Sequence, residues 1–266
     1  MTSDFRTCLL GTLKFTIEFF EAHNIRYYAA YGTLLGAVRH QGLIPWDDDI
    51  DLMVPRADYE RLLTMQEEFN GTDYTVISAE KNPGYYCPFA KIVNTKTYIR
   101  EFRAHKYPLG VFIDIFPMDF YHESEEEVMM KKQVFAKAFL KYHISLKTLV
   151  FNNLKDFVKS LWFQLAYRPR REKFYREWLR VRDELKNADE TGEICGVLTL
   201  CPTAPPFRTK WFENPVELPF ENMKIRVPGD CDACLKMLYG DYMQLPPEEK
   251  RTAAHPHFFV DLNRHL

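Results

Sequence analysis

The chain has 266 residues, of which 46% are hydrophobic and 27% charged, fractions typical of a globular protein and not of a disordered or fibrous one. Its longest stretch without Asp, Glu, Lys or Arg has 14 residues and contains three prolines. A membrane-spanning helix needs about 20 apolar residues, so we expect no membrane span. The formal net charge is −2, but residues 131–182 carry 14 basic and three acidic side chains, which predicts a basic face on an otherwise acidic molecule.

The first 23 residues predict an amphipathic helix, because apolar side chains recur with helical spacing and charged ones lie between them. This pattern differs from a secretion signal, so we expect a cytoplasmic protein whose six cysteines are reduced. A short strand is predicted at 25–30, a short helix at 32–39 and a loop at 40–48. Alternating apolar residues predict a further strand at 49–54.

The middle of the chain combines strands with a long helical region. Pro55 opens a predicted helix that runs to Phe69, since proline is tolerated in the first helical turn. Residues 123–187 have helical periodicity that is broken at Pro169. Strands are predicted in the region between these helices, at 74–78, 86–93, 97–102 and, most clearly, 111–116.

The remaining tail, 190–266, is rich in proline and turns, with a predicted strand at 224–227 and a predicted helix at 231–239. We interpret the whole order as an α/β fold, or α+β in the wider sense, with a mixed β-sheet core flanked by helices. The predicted divisions, which together form one domain, are a catalytic core at 1–122, a helical basic insertion at 123–190 and a C-terminal segment at 191–266 packed on the core.

Four carboxylates fall within five positions, at Asp47, Asp48, Asp49 and Asp51. Like charges at this density repel each other, so a fold keeps them together with a compensating cation. Asp49 and Asp51 would point to the same face of the predicted strand. Two carboxylates so placed can hold a hard divalent ion through oxygen.

A third acid is predicted on a neighbouring strand. Asp114 lies among apolar residues at 111–116, where an unpaired carboxylate would be costly, so it is the candidate third metal ligand. Its alternative is a buried acid paired with Arg or Lys. Asp119 follows Pro117 and is predicted to be a turn or helix-cap residue.

Candidate phosphate-binding residues surround the acids in the sequence. Gly32 and Thr33 follow a predicted strand and open a helix, where free backbone N–H groups and a hydroxyl suit a phosphate. Arg39 could clamp a phosphate with two hydrogen bonds. Lys91, on a predicted strand, could offset the charge of a substrate phosphate.

A rival metal chemistry rests on Cys195, Cys201, Cys231 and Cys234, which could form a zinc site. The first pair is loosely spaced and the second has helical spacing, so ordinary buried thiols are favoured. His255 is a candidate for contact with the molecule that would accept a transferred group. The chain contains no P-loop, α/β-hydrolase or zincin signature.

Four segments together carry a family resemblance. They are Gly-Thr-Leu-Leu-Gly-x-x-Arg at 32–39, Pro-Trp-Asp-Asp-Asp-Ile-Asp at 45–51, Gly110–Asp119, and Tyr239–Pro247 followed by Arg251 and His255. The sequence resembles the LicD family, the cholinephosphotransferases of lipopolysaccharide and teichoic acid synthesis, within a wider group that includes the fukutin-type ribitol-phosphate transferases. The resemblance spans about residues 10–260 and is weakest at 123–215.

This resemblance implies a nucleotidyltransferase-like fold in which Asp49 and Asp51 match the metal pair and Asp114 the third acid. Thr33 stands where Ser or Gly is usual, which keeps a hydroxyl. Asp47 and Asp48 match no equally clear role and are treated as accessory. The implied cofactor is Mg²⁺, with Mn²⁺ as the alternative.

The implied reaction transfers phosphocholine, or a similar substituted phosphoryl group, from a CDP-activated donor such as CDP-choline to a sugar hydroxyl, releasing CMP. The acceptor would be a lipid-linked glycan precursor, such as a precursor of teichoic acid or lipopolysaccharide. Two alternatives remain: a nucleotidyltransferase that moves NMP from an NTP, and a non-catalytic nucleotide-binding protein. We expect no nucleic-acid partner.

The basic region also predicts a surface for membranes. Within 131–182, the apolar cluster Leu161–Tyr167 precedes Arg168, Arg170 and Arg171, a combination typical of interfacial helices. We therefore expect peripheral association with anionic lipid at the inner face of the cytoplasmic membrane. The alternative is that Leu161–Tyr167 form the core of a helical bundle.

Overall fold

The computed structural model describes residues 2–101, 105–149, 151, 153–199, 202–252 and 259–266. In this part of the chain the helices are α1 Ser3–Ala22, α2 Tyr31–His40, α3 Arg56–Leu62, α4 Glu125–Leu146, α5 Leu154–Ala166, α6 Arg171–Leu185 and α7 Cys231–Tyr239. The strands are β1 Tyr28–Ala29, β2 Asp51–Pro55, β3 Tyr74–Ile77, β4 Ala90–Asn94, β5 Tyr98–Arg100, β6 Phe112–Tyr121, β7 Ile194–Val197, β8 Phe207–Arg208, β9 Val216–Phe220, β10 Met223–Val227 and β11 Phe259–Asp261. The predicted α/β class with a mixed sheet is confirmed.

The central sheet is built around β6, all ten residues of which are buried. The strand order is β1-β2-β6-β4-β3, and only the β2–β6 pair is parallel. β4 pairs with the first half of β6, and β7 pairs with its second half on the same edge. β8 extends the sheet beyond β7, so residues from the C-terminal segment complete the core sheet.

The sequence analysis ended this strand too early, at residue 116, whereas β6 continues through Pro117 to Tyr121. The Asp114 N–H donates to the Ile50 carbonyl at 2.9 Å, so strand alternation turns position 117 toward the opposite edge. On that edge of β6, the pairing with β4 ends at Ile115 and the pairing with β7 begins at Met118. Pro117 falls in this gap, where its missing N–H interrupts no ladder.

Other boundaries also differ from the predictions. The strand predicted at 49–54 begins only at Asp51, and the helix predicted to reach Phe69 ends at Leu62, with a short 3-10 helix at Gln66–Phe69. The strand predicted at 86–93 begins at Ala90. The sequence analysis missed four short strands in the tail, β7, β8, β9 and β11, because each has at most five residues and no clear alternation. The predicted α7 and the strand at 224–227 are confirmed.

The predicted basic insertion forms α4, α5 and α6. A capping box between Ser124 and Glu127 fixes the start of α4. α4 packs against α6 around the fully buried Trp178, which contacts Phe139 and Tyr142. The predicted break at Pro169 is confirmed, since a short 3-10 helix at Arg168–Arg170 separates α5 from α6. Among the described residues, no helix is long and apolar enough to cross a membrane.

Candidate functional site

Three charged side chains form one row across the middle of the sheet. Asp114 on β6 is in register with Asp51 on β2 and with Lys91 on β4. Residues that are directly opposite on neighbouring strands share a face of the sheet. The row therefore brings together, on one face, residues that are up to 63 positions apart in the chain.

The row opens into a cavity of about 430 Å³. Asp49 also reaches this cavity from the loop just before β2, so the three predicted metal acids line the same space. Other lining residues come from five further parts of the chain: Tyr31, Tyr86, Cys87, Pro88, Phe89, Glu101, Phe112, Phe116, Lys132, His143, Thr199 and Ala204. The cavity thus has an acidic end and an aromatic wall.

The acids sit close enough to oppose each other's ionisation. Burial, with Asp49 and Asp114 next, raises the pKa of Asp51 well above its ordinary value. Burial likewise raises the pKa of Asp114 to about 7, against the opposing effect of Lys91. Burial and then Asp49 raise the pKa of Asp47 to about 7. A cation placed among these groups would relieve both the desolvation and the repulsion.

The acidic loop before β2 offers further oxygen ligands. One carboxylate oxygen from each of Asp47, Asp48 and Asp49 lies within 4.8 Å of the other two. Asp48 is buried, although the sequence analysis treated it only as an accessory residue. Clustered carboxylate oxygens are the donors that Mg²⁺ and Mn²⁺ prefer, so the donor chemistry of this site fits the predicted cofactor.

Gly32 and Thr33 lie in the first turn of α2, directly against the acids. The Asp51 N–H donates to the Thr33 hydroxyl at 2.8 Å, which fixes the start of β2. A Cβ at residue 32 would lie 2.7 Å from the Asp47 Oδ2 atom, so only glycine lets that carboxylate approach the helix. Both residues thus position the acidic loop, and their predicted contact with a donor phosphate remains a prediction.

The second glycine of the same motif serves the loop that follows α2. A Cβ at Gly36 would lie 2.4 Å from the Gly42 carbonyl oxygen. The Gly42 N–H in turn donates to the Gly36 carbonyl at 3.3 Å. This close backbone contact lets the chain turn back from α2 toward the acids at 47–49.

Arg39 lies at the end of α2, beside the C-terminal segment. Its Nη1 donates to the Tyr242 carbonyl at 2.7 Å, and its Nε lies 3.0 Å from the His40 Nε2 atom. The side chain of Tyr239 is close enough to the acids that Asp51 and Asp47 add to the desolvation that raises its pKa. Arg251 lies over the ring of Trp46 in the acidic motif, 5.6 Å from its centroid. The C-terminal segment therefore borders the site, as its place in the resemblance implies.

Lys91 is buried and already paired with two carboxylates. Its Nζ donates to Asp114 and lies 3.4 Å from the Glu101 Oε1 atom. Asp114 is therefore paired with a lysine, as in the alternative considered for it from sequence, and it also lines the cavity; its role as a metal ligand remains a prediction. The predicted contact between Lys91 and a substrate phosphate remains a prediction.

The sequence analysis missed several side chains that line the cavity. Glu101 accepts hydrogen bonds from Tyr86 and Lys91, and no local pattern marks it. Lys132 is buried and donates to the Ala204 carbonyl, although the sequence placed it on the basic surface. One signal was available, because Lys132 occupies the same helical stripe as Val128, Phe135 and Phe139, all buried.

Asp119 is a correction, because it is neither a turn nor a cap residue. It lies in β6, fully buried, and accepts two hydrogen bonds at 2.7 Å from the guanidinium of buried Arg56. It also accepts the Asn187 N–H at 2.9 Å. The strand continues past Pro117, which places Asp119 in the interior, where an ion pair compensates its charge.

Among the described residues, the alternative zinc ligands Cys195, Cys231 and Cys234 do not form a group of three with ligand spacing. Cys195 and Cys234 are buried, and the Cys231 thiol donates to the Pro228 carbonyl at 2.9 Å. Among the residues that the structure describes, the one group of three or more potential metal ligands is Asp47, Asp48 and Asp49. Cys201 and His255 lie outside the described residues.

Comparison with known proteins adds a family match. The profile of the family described as LicD/FKTN/FKRP, nucleotidyltransferase domain, matches residues 24–169, which include the acidic motif and Asp114. The lipopolysaccharide cholinephosphotransferase LicD of Haemophilus influenzae is 27% identical over 251 residues, 92% of each chain. An uncharacterized protein of Rickettsia prowazekii is 35% identical over 123 residues, 44% of this chain and 43% of that protein. The ribitol 5-phosphate transferase FKRP of Homo sapiens is 46% identical over 44 residues, 16% of this chain and 9% of that protein.

Proposed function

This chain belongs to the LicD/FKTN/FKRP nucleotidyltransferase-domain family, and we propose that it transfers phosphocholine from a CDP-activated donor to a sugar hydroxyl, releasing CMP. The convergence of Asp49, Asp51 and Asp114 on one cavity carries this proposal. Three carboxylates, one from a loop and two from strands, form the acidic end of this cavity. Aromatic side chains form another wall of the same cavity. A non-catalytic protein would have no need to hold such mutually repelling acids together.

The proposed cofactor is Mg²⁺ or Mn²⁺, held by Asp49, Asp51 and Asp114. When bound, such an ion stabilises the leaving CMP phosphate and lowers the pKa of the attacking hydroxyl. The protein's own contribution is positional: Thr33 fixes the backbone of Asp51, and Lys91 fixes the carboxylate of Asp114. Asp114, at the centre of the row, is the residue we assign to receive the proton of the sugar hydroxyl.

The donor's phosphates would lie between the acids and the C-terminal segment. Arg39 and Arg251 provide positive charge on that side of the site, and Gly32 and Thr33 present the first turn of α2. The backbone N–H groups and dipole at a helix start favour an anion. Transfer of a phosphoryl group needs little covalent chemistry from the protein, so in-line placement of donor and acceptor is its main task.

The aromatic wall favours a cationic head group such as choline over the uncharged ribitol or glycerol. The rings of Tyr31 and Phe89 pack against Phe116, with centroid distances of 5.6 and 4.3 Å. Aromatic faces attract a quaternary ammonium more strongly than they attract an uncharged polyol. The relative from Haemophilus influenzae carries the name of a cholinephosphotransferase, which supports the same choice.

A glycan precursor carried on a lipid is the acceptor that we propose, with the reaction placed in the cytoplasm. The name of the relative from Haemophilus influenzae includes lipopolysaccharide, a sugar-containing acceptor. A lipid-linked precursor of lipopolysaccharide or teichoic acid would present a sugar hydroxyl at the cytoplasmic face of the membrane.

Parallel assays with different donors test the proposal. The chain is incubated with Mg²⁺ and, separately, CDP-choline, CDP-ribitol, CTP or ATP, and the released CMP and pyrophosphate are measured. We expect CMP to be released faster from CDP-choline than from CDP-ribitol, and we expect no pyrophosphate from CTP or ATP. Asp51→Asn should abolish this release. Asp73→Asn is the matched control, because it removes an exposed carboxylate that does not line the cavity. Pyrophosphate release would establish the nucleotidyltransferase alternative, and cleavage of no donor would favour a binding protein.

A further inference from the structure

An apolar stripe on α5 faces away from the protein. Five side chains spaced for one helix face are between 38% and 78% exposed: Leu154, Val158, Leu161, Trp162 and Leu165. The only residue of α5 that is fully buried is Ser160. Globular proteins bury such stripes against a core, and an exposed one marks an interaction surface.

The opposite side of α5 holds the helix to the protein. Gln164 of α5 donates to the Lys147 carbonyl just beyond α4. Phe163 and Tyr167 are half-buried and contact each other, with ring centroids 5.9 Å apart. The sequence alternative of a bundle core is therefore wrong for the outward stripe, which includes Leu161, Trp162 and Leu165.

Positive charge borders the apolar stripe. Residues 147–171 contain six basic side chains and one acidic side chain. Lys155 and Lys159 line a shallow groove on the stripe together with Leu154, Val158 and Trp162. At the C-terminal end of the helix, Arg168 and Arg170 are exposed.

We propose that this surface, the α5 stripe with its basic border, binds peripherally to an anionic phospholipid membrane. An interfacial helix places its apolar side chains at the boundary between head groups and acyl chains, and its lysines among the anionic head groups. Trp162 is the side chain that such a boundary favours. A second copy of the chain is a poorer occupant, because pairing two such stripes would bring two basic borders together.

Membrane binding through α5 would bring the protein to the surface that displays a lipid-linked acceptor. The stripe residues are outside the cavity lining, so their role is separate from the transfer chemistry. Failure of membrane binding would therefore leave CMP release from a water-soluble donor unchanged. Failure of the proposed reaction would likewise leave vesicle binding unchanged.

Vesicle flotation tests the proposal. The full chain is mixed with vesicles of phosphatidylcholine alone or of phosphatidylcholine with phosphatidylglycerol, at low and high salt. We expect binding to the anionic vesicles only, weakened by salt. The double variant Lys155→Ser/Lys159→Ser should lower the partition coefficient by roughly tenfold or more, and Trp162→Ser/Leu165→Ser should abolish binding.

Matched control variants change exposed residues on other helices. Arg176→Ser/Arg180→Ser removes two exposed basic side chains from α6, and Met130→Ser removes an exposed apolar one from α4. Both should bind anionic vesicles like the parent chain. Equal binding to both vesicle types, no binding, or control variants that bind as weakly as the α5 variants would overturn the proposal. A concentration-dependent dimer that Trp162→Ser abolishes would show instead that a second copy covers the stripe.

Discussion

Asp51 is the side chain for which loss of charge has the clearest consequence. It is partly buried and lies close to Asp49 and Asp114, and its pKa is raised because desolvation and both neighbours disfavour its ionised form. Asp51→Asn should remove donor turnover, while the melting temperature without divalent metal holds or rises, because one repelling charge is gone. Calorimetry with and without Mg²⁺ or Mn²⁺ provides the second readout. The metal should raise the melting temperature of the parent chain and not that of the variant.

Asp49→Asn should behave in the same way, because Asp49 lines the same cavity and contributes to the raised pKa values of Asp47 and Asp51. Turnover near the parent level in either variant, with the protein folded, would show that the metal assignment is wrong.

Asp114 and Asp119 lie on the same strand, and we predict opposite phenotypes for them. Asp119→Asn removes the fully buried carboxylate from the Arg56 guanidinium and leaves it only the more exposed Glu60 at 3.4 Å, so the unfolding free energy should fall by about 3 kcal/mol. The molecules that remain folded should keep their turnover. Asp114→Asn should abolish turnover at a smaller loss of stability, because Lys91 retains Glu101 as a partner. Urea unfolding and turnover per folded molecule separate the two effects, and an inactive but fully stable Asp119 variant would reverse our assignment.

Gly32→Ala tests the contact between α2 and the acidic loop. The added methyl group would meet the Asp47 Oδ2 atom at 2.7 Å, so the Asp47 side chain must turn away from its place beside Asp49 and turnover should fall by roughly tenfold. Gly11→Ala is the matched control, since nothing lies within 4 Å of a Cβ there. In the helix interior that change should stabilise the protein by about 0.5–1 kcal/mol and leave turnover unchanged. Equal turnover in both variants would mean that Asp47 tolerates the displacement.

The packing of α4 against the segment before β6 makes stability depend on pH. His105 lies against His143 of α4, with their Nε2 atoms 3.2 Å apart, and its ring stacks on Tyr86. Burial, followed by His143 and Lys147, lowers the pKa of His105 to about 3. An unfolded histidine titrates near pH 6.5, so as the pH falls below about 6.5 only the unfolded chain takes up this proton.

The folded state should therefore lose up to about 1.4 kcal/mol per pH unit from this one group between roughly pH 6 and pH 4. His105→Gln should flatten that part of the profile, measured as the free energy of unfolding in urea at several pH values. His265→Gln, which removes an exposed imidazole, is the matched control. An unchanged slope in the His105 variant would mean that this imidazole accepts a proton while folded.

Local patterns predicted those elements whose boundaries are set within the element itself. α1 and α2 begin and end close to the predicted residues, because apolar periodicity and helix-ending residues determine both ends. The extent of β6 depended on which strands pair with it, and the position of the gap at Pro117 is a property of the sheet. The burial of Lys132 likewise depends on Ala204, which lies far along the chain.

For the molecule as a whole, the acids were predictable and their surroundings were not. The density of carboxylates at 47–51 and the isolated acid in an apolar strand identified Asp49, Asp51 and Asp114, and the structure places all three on one cavity. The ion pair of Lys91 with Asp114 follows from the antiparallel register of β4 and β6, which no local pattern encodes. The outward orientation of the α5 stripe depends on how α5 is attached beside α4, which also lies beyond local sequence.

In the proposed reaction, the acceptor hydroxyl attacks the phosphorus that carries choline, and CMP is the leaving group. Hydrolysis of CDP-choline by the chain in ¹⁸O-labelled water, with Mg²⁺ and without acceptor, tests it by mass spectrometry of both products. Water then replaces the sugar hydroxyl, and we predict that the label appears in phosphocholine, that CMP is unlabelled, and that Asp114→Asn forms neither product. Label in CMP would mean attack at the nucleotide phosphorus, as in nucleotidyl transfer, and would overturn the proposed transfer of phosphocholine.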